Sequence, residues 1–310
     1  TEAGTTRTEY TIVRLATDEY YLISSGAWTA YDSDYMRKAA EDKMADFGWI
    51  DIHDVSTQWG VFAVAGPKSR DLLGKLVKDA DPATALSNKR FPWLSMRNIE
   101  LGMCPVRAVR VAYTGELGWE LHHPIEMQTY LFDQLMAAGE DVGLKLVGAR
   151  AQNWLRQEKS YRAFGNELGR DATPMEADLP RFIETSKDFH GKAAMVAKGI
   201  RSKCCTLLID GPADADPWGR EALYLGDERV GRLTSGGYSV AFGKSIGMGY
   251  VRPDLAVEGR RLKVKMFDQL WDATVTCDSP YDPGNATIRK DVFAAEQPNP
   301  THKAAHEPAE

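Results

Sequence analysis

The sequence predicts a mixed α+β domain followed by a small all-β domain. In the first two thirds of the chain, amphipathic helical patterns alternate with runs of strand-forming residues. From Cys204 onward, short strand-like runs are separated by turns that carry glycine, such as Gly226 and Gly259. This spacing is typical of a compact β-barrel or sandwich. We therefore predict one domain over residues 1–200 and a second over residues 201–292.

The elements of the first domain follow from hydrophobic periodicity. Apolar or small residues recur at helical spacing between Asp34 and Phe47, which predicts an amphipathic helix there. Pro67 suits the first turn of a second helix, because the backbone N–H that proline lacks has no helical partner at that position. Further helices are predicted over residues 125–138 and 147–157. Strands are predicted at Tyr10–Leu15, Tyr20–Ser24, Trp49–Val55 and Trp59–Ala65.

One turn of the first domain carries a candidate ligand group. Glu116 lies between Gly115 and Gly118, after an apolar strand pattern that ends at Val111 and before a second one that begins at Trp119. Glycine permits the positive φ of a hairpin turn and leaves room for a ligand to approach the chain. The pattern therefore predicts a tight hairpin turn that presents an acidic side chain.

The strands of the second domain are also predicted from local sequence patterns. Each run is short, rich in strand-forming residues and bounded by turn residues. After the last run, residues 293–310 contain three prolines and few large apolar side chains. Such a segment buries too little surface to offset its ordering, so we expect a disordered tail. The predicted strands are Thr206–Asp210, Ala222–Tyr224, Arg229–Leu233, Ser245–Val251, Leu262–Phe267 and Asp272–Thr276.

Composition excludes several classes of function. The net charge of −6 is spread over 310 residues without a basic block, so we expect neither nucleic acid nor a membrane as a partner. The spacing of the four cysteines supports neither a disulfide framework nor a zinc site, and we expect no metal site. This cysteine usage indicates a reducing compartment, and we expect a cytoplasmic protein. No dinucleotide fingerprint is present, so we do not expect this chain itself to hold FAD or NAD.

Seven segments, in order along the chain, carry a resemblance to a known family. They are Gly66–Arg70, Tyr113–Leu121, Leu155–Tyr161, Thr173–Ala177, Lys187–Lys192, Thr234–Ser239 and Ser245–Val251. Together they resemble the motifs of the glycine-cleavage T-protein (aminomethyltransferase) family, which binds folate. Within that family, Gly115–Pro124, Tyr161–Gly165, Gly243–Ile246 and Tyr281–Pro283 are most similar to the folate-binding C-terminal half of dimethylglycine and sarcosine dehydrogenases.

The resemblance implies a fold and a function. The implied fold is a T-protein-like folate-binding domain followed by a small C-terminal β-barrel. The implied function is tetrahydrofolate-dependent one-carbon transfer in an enzyme that demethylates an N-methyl amine, with the one-carbon unit captured as 5,10-methylenetetrahydrofolate. FAD would belong to a separate or upstream oxidoreductase domain that acts as the partner. In a eukaryote, the implied location is the mitochondrial matrix.

Two alternatives remain open at this level. The first is a glycine-cleavage aminomethyltransferase or another folate-dependent methyltransferase or demethylase, which would have no FAD domain upstream. The second is a folate-binding or structural module without catalytic activity. The resemblance also leads us to expect that the N-terminal part of the family's folate-binding domain is missing from this chain.

The resemblance also assigns cofactor-binding roles to individual side chains. Glu116 would accept hydrogen bonds from the donor-rich edge of the pterin ring. Arg156 would pair with the folate's glutamate or its linker, and the alternative is an internal salt bridge with Glu158 or another acid of the helix region. Three aromatic residues would stack on the folate or, alternatively, belong to the core. These residues are Tyr113, Trp119 and Phe164.

The catalytic role falls to Glu9. The segment from Gly4 to Leu15 resembles the family motif Gly-Gly-x-x-x-Asp-Leu-Thr-Val-x-Arg-Leu and has Glu9 in place of the aspartate. That aspartate is the family's candidate for proton transfer at the folate nitrogens. Glutamate keeps the carboxylate but adds a methylene, and catalysis tolerates a displacement of about an ångström poorly. Glu9 is therefore predicted to be the acid–base group or, alternatively, a solvated residue near the chain end.

Overall fold

The computed structural model of the protein describes residues 1–212 and 215–290. The segment predicted to be a disordered tail, residues 293–310, lies outside the described residues. Within the described residues, none of the helices combines the length and the apolar character that crossing a membrane requires.

The chain folds into two units. The first unit, here called the barrel unit, consists of Thr1–Arg7, Ala112–Leu117 and the described residues from Lys145 onward. The second, here called the sheet unit, consists of Thr8–Val111 and Gly118–Leu144. Each unit draws on separate chain segments, so residues that are distant in sequence share one fold.

The sheet unit is built on antiparallel strands. Two strands form a hairpin, and four more form a sheet in the order β3-β6-β5-β4. The strands are β1 (Thr11–Arg14), β2 (Tyr20–Ile23), β3 (Trp59–Ala65), β4 (Met96–Leu101), β5 (Cys104–Val109) and β6 (Gly118–Pro124). The helices of this unit are α1 (Thr29–Phe47), α2 (Ser69–Gly74), α3 (Pro82–Ala85) and α4 (Gln128–Gly139).

One face of the sheet forms the core of this unit. Side chains alternate between the two faces of a strand, so Trp119 and Leu121 of β6 point to the same side. Both are buried, and Ala108 of β5 lies opposite Leu121 in the register. Phe62 of β3 lies with its ring centroid 5.9 Å from that of Phe132 in α4. The sheet therefore buries this face against helix α4.

The predicted strand at Trp49–Val55 is wrong. It contains strand-forming residues such as Ile50, Ile52 and Val55, but the segment has no regular secondary structure. A strand needs a neighbour to accept and donate its backbone hydrogen bonds. No strand in the part of the chain that the structure describes pairs with this segment.

The predicted tight turn around Glu116 is also wrong. Strand β5 ends at Val109, which pairs with Glu120 of β6. At the start of β6, Gly118 pairs instead with Ala65 of β3. Residues 110–117 therefore form a longer loop, and its central part belongs to the barrel unit.

The barrel unit contains a closed six-stranded antiparallel barrel in the order β10-β7-β12-β11-β8-β9. All six predicted strands are present, and the predicted fold class is confirmed. Leu207, Ile209 and Val264 are fully buried in the barrel core. The strands are β7 (Lys203–Ile209), β8 (Ala222–Leu225), β9 (Glu228–Ser239), β10 (Lys244–Val251), β11 (Arg261–Met266) and β12 (Gln269–Val275). Helices α5 (Ala149–Glu158) and α6 (Lys192–Lys198) complete the unit.

Helix α5 packs closely against strand β9. A Cβ atom at Gly237 of β9 would lie 2.0 Å from Cδ1 of Trp154 in α5, so a larger residue there would push the helix away. This close approach lets Arg156, two residues further along α5, reach the side chain of Ser235. The glycine in β9 thus positions one of the predicted site residues.

Candidate functional site

The loop that carries Glu116 is anchored at Gly115. Gly115 has a φ of +79°, in the left-handed region that favours glycine. A Cβ atom at this position would lie 2.3 Å from Cγ of Lys159. The backbone of the loop therefore rests directly on the aliphatic part of that buried lysine, which restricts the direction in which Glu116 can point.

Glu116 is half-buried and has one defined partner. The hydroxyl of Tyr281 donates a hydrogen bond of 2.8 Å to its Oε1. The Oε2 atom accepts no hydrogen bond from the residues that the structure describes. Burial raises the pKa of Glu116 above its ordinary value, although the bond from Tyr281 acts in the opposite direction. The site thus holds a partly desolvated carboxylate in which only Oε1 accepts a hydrogen bond from the described residues.

Lys159 links this loop to residues 281–285. Its Nζ donates to the backbone oxygen of Tyr281 at 3.0 Å, to that of Asp282 at 2.6 Å and to Oδ1 of Asn285 at 3.0 Å. Burial lowers the pKa of Lys159, since its side chain is almost fully removed from solvent. The lysine therefore fixes the chain after the barrel to the segment that bears Glu116.

Two of the predicted aromatic residues lie in the barrel unit. The ring of Tyr113 stacks on that of Tyr161, with centroids 6.2 Å apart and an interplanar angle of 22°. Tyr113 is 37% exposed, so part of this aromatic pair is accessible to solvent. Phe164 is half-buried, in a tight loop where it forms a bridge with Leu168.

Arg156 lies at the centre of a buried polar network. Its Nη1 donates to Oε2 of Glu167 at 2.9 Å and to the backbone oxygen of Tyr161 at 2.7 Å. Its Nε donates to Asn153, and its Nη2 donates to the hydroxyl of Ser235 at 2.6 Å. The guanidinium is therefore engaged in an internal salt bridge, and its partner is Glu167, which follows helix α5 in the chain, rather than Glu158.

Trp119 is a core residue of the sheet unit. Its side chain is 1% exposed and lies edge-to-face against Phe91, with ring centroids 6.4 Å apart. The guanidinium groups of Arg70 and Arg110 lie 5.8 Å and 5.9 Å from the Trp119 ring. These contacts and the burial of the indole place Trp119 in the core of the sheet unit.

Glu9 lies in the sheet unit, in the segment before β1, and its side chain is exposed. The neighbouring Thr8 donates a hydrogen bond of 3.1 Å to Oδ2 of Asp32, a buried aspartate in α1. The backbone beside Glu9 is therefore attached to helix α1, although the Glu9 side chain itself is accessible to solvent.

The structure brings together Glu116, Tyr281 and Lys159, of which only the first was predicted from the sequence as a site residue. A third residue that sequence reasoning missed is Glu167, the partner of Arg156. The available signal was the motifs themselves, since Lys159 and Tyr281 lie inside two of the segments that carry the family resemblance. Among the described residues, no group of histidine, cysteine, aspartate and glutamate side chains is arranged to hold a metal ion.

The loop geometry predicts a large effect for Gly115→Ala. The substitution forces an L-residue into the left-handed region and against a lysine stem that three hydrogen bonds hold in place, which should cost roughly 1–3 kcal/mol. The control is Gly284→Ala, at a position with no atom within 4 Å of the added Cβ. Urea unfolding should separate the two variants. Equal free energies of unfolding would contradict the proposed packing of the loop on Lys159.

Comparison with known protein families identifies the fold. The family described as "GCVT N-terminal domain" matches residues 1–187. The chain belongs to the glycine-cleavage T-protein family. A second family, "Glycine cleavage T-protein C-terminal barrel domain", matches residues 203–282, a range that includes all six strands of the closed barrel. The resemblance inferred from the seven motifs is thereby confirmed.

T-protein relatives include both dehydrogenases and transferases. The chain is 34% identical over 282 residues to mitochondrial dimethylglycine dehydrogenase of Rattus norvegicus, which covers 89% of this chain and 32% of the dehydrogenase. It is 29% identical over 313 residues to mitochondrial sarcosine dehydrogenase of Mus musculus, and this match covers 93% of this chain and 33% of the dehydrogenase. It is 27% identical over 268 residues to the aminomethyltransferase of Natranaerobius thermophilus, and this match covers 86% of this chain and 70% of the aminomethyltransferase. The chain thus spans about one third of the length of the dehydrogenases that it matches.

A solved T-protein structure has the same fold. The glycine cleavage system aminomethyltransferase T from Bartonella henselae superposes with a TM-score of 0.74 over 91% of this chain and 74% of that chain. The sequence identity is 22%, so this likeness bears on the fold alone.

Proposed function

We propose that this T-protein family chain binds tetrahydrofolate and takes part in folate-dependent one-carbon transfer. The observation that carries the proposal is the carboxylate of Glu116, which is half-buried on a glycine-anchored loop and has an oxygen with no described protein partner. The similarity to dimethylglycine dehydrogenase, sarcosine dehydrogenase and aminomethyltransferase supports the same function.

The residues around Glu116 fit the chemistry of a pterin. A pterin edge presents an amide N–H and an exocyclic amine, and an ionised carboxylate can accept a hydrogen bond from each. Since the Tyr281 hydroxyl donates one hydrogen bond to Oε1, the second lone pair of Oε1 and both lone pairs of Oε2 can accept hydrogen bonds from these donors. The stacked pair of Tyr113 and Tyr161 supplies an aromatic surface in the same unit. We propose that these groups bind and orient the folate ring system, with Phe164 as a further aromatic contact.

Arg156 and Trp119 take supporting roles in this proposal. The donors of Arg156 are engaged by Glu167, Tyr161, Asn153 and Ser235, so we propose that it orders the barrel unit from within. Trp119 fills the core of the sheet unit. Both residues would then affect folate binding through the integrity of the fold, and not through direct contact with the ligand.

We further propose that the chain works with an FAD-containing oxidoreductase domain or subunit. The dehydrogenase relatives are about three times the length of this chain, which is compatible with such an additional domain. The partner would oxidise a methylated amine of the dimethylglycine or sarcosine type, and tetrahydrofolate would capture the released one-carbon unit as 5,10-methylenetetrahydrofolate. The division into domains at residues 1–200 and 201–292 stays a prediction.

Calorimetric titration with tetrahydrofolate tests the proposed binding role of Glu116. Glu116→Gln should weaken binding by roughly tenfold to hundredfold, because a hydrogen bond to a charged group contributes about 1.5–3 kcal/mol. The control is Glu126→Gln, which neutralises an exposed glutamate of the sheet unit. An absence of binding by the unsubstituted chain, or equal affinities of the two variants, would contradict the proposal.

The affinity for tetrahydrofolate measured in this titration should depend on pH. Burial raises the pKa of Glu116 above 4.5, and the protonated acid accepts pterin donors less well than the carboxylate. Affinity should therefore be full above that raised pKa and fall as the pH is lowered through it. Glu116→Gln has no ionisable group at this position, so its remaining affinity should lack this transition. A transition of the same size in both proteins would assign the effect to another group.

Glu9 is the proposed acid–base group, and turnover distinguishes it from the alternative of a non-catalytic module. In the enzyme assembled with its oxidoreductase partner, Glu9→Gln should lower kcat by at least about 100-fold and leave the Kd for tetrahydrofolate unchanged. Glu9→Asp, which restores the family's residue, should retain or increase kcat. A non-catalytic module predicts that neither substitution changes turnover.

A further inference from the structure

We propose that Tyr281 and Lys159 are positioning residues, which hold the Glu116 carboxylate ionised and directed so that Oε2 faces the ligand. This inference rests on the proposed function, because it concerns how the folate-binding acid is prepared. Both residues act through Glu116 and the loop around it, and neither is placed in contact with the folate.

Tyr281 is fixed at both its ends. Its backbone N–H donates to the backbone oxygen of Glu158 at 2.9 Å, and its side chain is 9% exposed. Its hydroxyl then donates to Oε1 of Glu116 at 2.8 Å, across a sequence separation of 165 residues. A hydroxyl that donates to one carboxylate oxygen favours the ionised acid and fixes the plane of the carboxylate. Tyr281 therefore determines which oxygen of Glu116 stays available.

Lys159 supports the same arrangement through both of its chemical parts. Its aliphatic stem lies under Gly115, and its ammonium holds the backbone oxygens of Tyr281 and Asp282. Among the described residues, the acceptors of the ammonium are carbonyl oxygens, and no carboxylate is in direct contact with its positive charge. A buried cation of this kind acts on nearby acids at longer range, and it favours ionised Glu116.

Other groups act on Glu116 in the opposite direction. Burial raises the pKa of Glu116 most strongly, and the negative charges of Asp282 and Glu158 raise it further. Tyr281 and Lys159 are the groups that lower it. The ionisation of Glu116 is therefore set by a balance between these four neighbours and its burial. Removing either of the two lowering groups should shift that balance toward the protonated acid.

The direct test is the pKa of Glu116 in the ligand-free chain, measured by carbon-13 NMR of labelled glutamate side chains and assigned with Glu116→Gln. Tyr281→Phe removes only the hydroxyl, and Lys159→Met keeps most of the stem while removing the charge. Both substitutions should raise the pKa of Glu116. Asp282→Asn should lower it, because it removes a negative charge. Unchanged pKa values in both Tyr281→Phe and Lys159→Met would overturn the proposal.

Titration with tetrahydrofolate across a pH series provides the functional readout. In Tyr281→Phe, the pH of half-maximal affinity should move upward together with the pKa of Glu116, with a loss of about tenfold in affinity near the transition. A purely structural role predicts instead the same loss at every pH, with an unmoved midpoint, and this result would also overturn the proposal. Lys159→Met leaves three acceptors without their donor, so the thermal unfolding midpoint of this variant is measured as well. If Lys159→Met does not fold, the test rests on Tyr281→Phe.

The two proposals can fail separately. If the unsubstituted chain does not bind tetrahydrofolate, the proposed function is wrong, whereas the NMR titration still reports whether Tyr281 and Lys159 control the ionisation of Glu116. If tetrahydrofolate binds through Glu116 and the NMR pKa is insensitive to both substitutions, only the positioning role is wrong.

Discussion

Glu167→Gln is expected to destabilise the barrel unit by about 3–5 kcal/mol, the usual cost of leaving a buried charge without its partner. Glu167 is fully buried and accepts hydrogen bonds on both oxygens. Oε2 accepts hydrogen bonds from Nη1 of Arg156 and the backbone N–H of Ala163. Oε1 accepts hydrogen bonds from the hydroxyls of Thr234 and Ser235. The substitution leaves the guanidinium of Arg156 buried without a countercharge, and it replaces an acceptor by a donor.

Urea unfolding followed by tryptophan fluorescence measures this loss. The matched control is Glu228→Gln in the same unit, which breaks an exposed ion pair with Arg252. Exposed pairs contribute about 1 kcal/mol or less, so the control should remain close to the unsubstituted chain. Similar losses for the two variants would mean that Arg156 and Glu167 do not form the central support of the barrel unit.

Trp119→Ala is expected to destabilise the sheet unit by about 3–5 kcal/mol, as large-to-small substitutions of buried aromatic residues do. The indole is 1% exposed, and its removal would leave a cavity beside Phe91. The side chains of Arg70 and Arg110, which lie against its ring, would lose that contact. Most of the cost comes from the lost packing, because the surrounding core relaxes only partly around such a cavity.

The control for this prediction is Trp49→Ala in the same unit. Trp49 is 81% exposed, so its removal should change the free energy of unfolding by less than about 0.5 kcal/mol. A further variant, Trp119→Phe, separates packing from ligand contact. If Trp119 belongs to the core, this variant should lose stability and keep its affinity for tetrahydrofolate. A variant of unchanged stability and reduced affinity would return Trp119 to the folate site.

The barrel could be predicted from the sequence because its signals are local. Each strand is a short run of strand-forming residues bounded by turn residues, so all six could be predicted without knowledge of their partners. The segment Trp49–Val55 has strand-forming residues of the same kind, such as Ile50 and Ile52, and is not a strand. The difference is a pairing partner, which is a property of the tertiary fold and leaves no trace in the segment itself.

The candidate site also depends on tertiary contacts that the local sequence does not show. Glu116 was predicted because it lies in a motif, although the tight turn expected around it is a longer loop. The partners of Glu116 and Arg156 were not predicted, since Tyr281 lies 165 residues from Glu116 and Ser235 lies 79 residues from Arg156. Contacts over such separations depend on how distant segments share one unit. The resemblance identified the segments, and the structure identified the contacts between them.

The most direct test of the central claim is a double-mutant cycle between Glu116 and the pterin edge. The affinities of the unsubstituted chain and of Glu116→Gln are measured for tetrahydrofolate and for an analogue in which a methyl group replaces the exocyclic amine. If Glu116 accepts a hydrogen bond from that amine, the analogue should bind the unsubstituted chain roughly tenfold or more weakly, and Glu116→Gln should discriminate far less between the two ligands. Independent, additive effects of the two changes would contradict recognition of the pterin by Glu116.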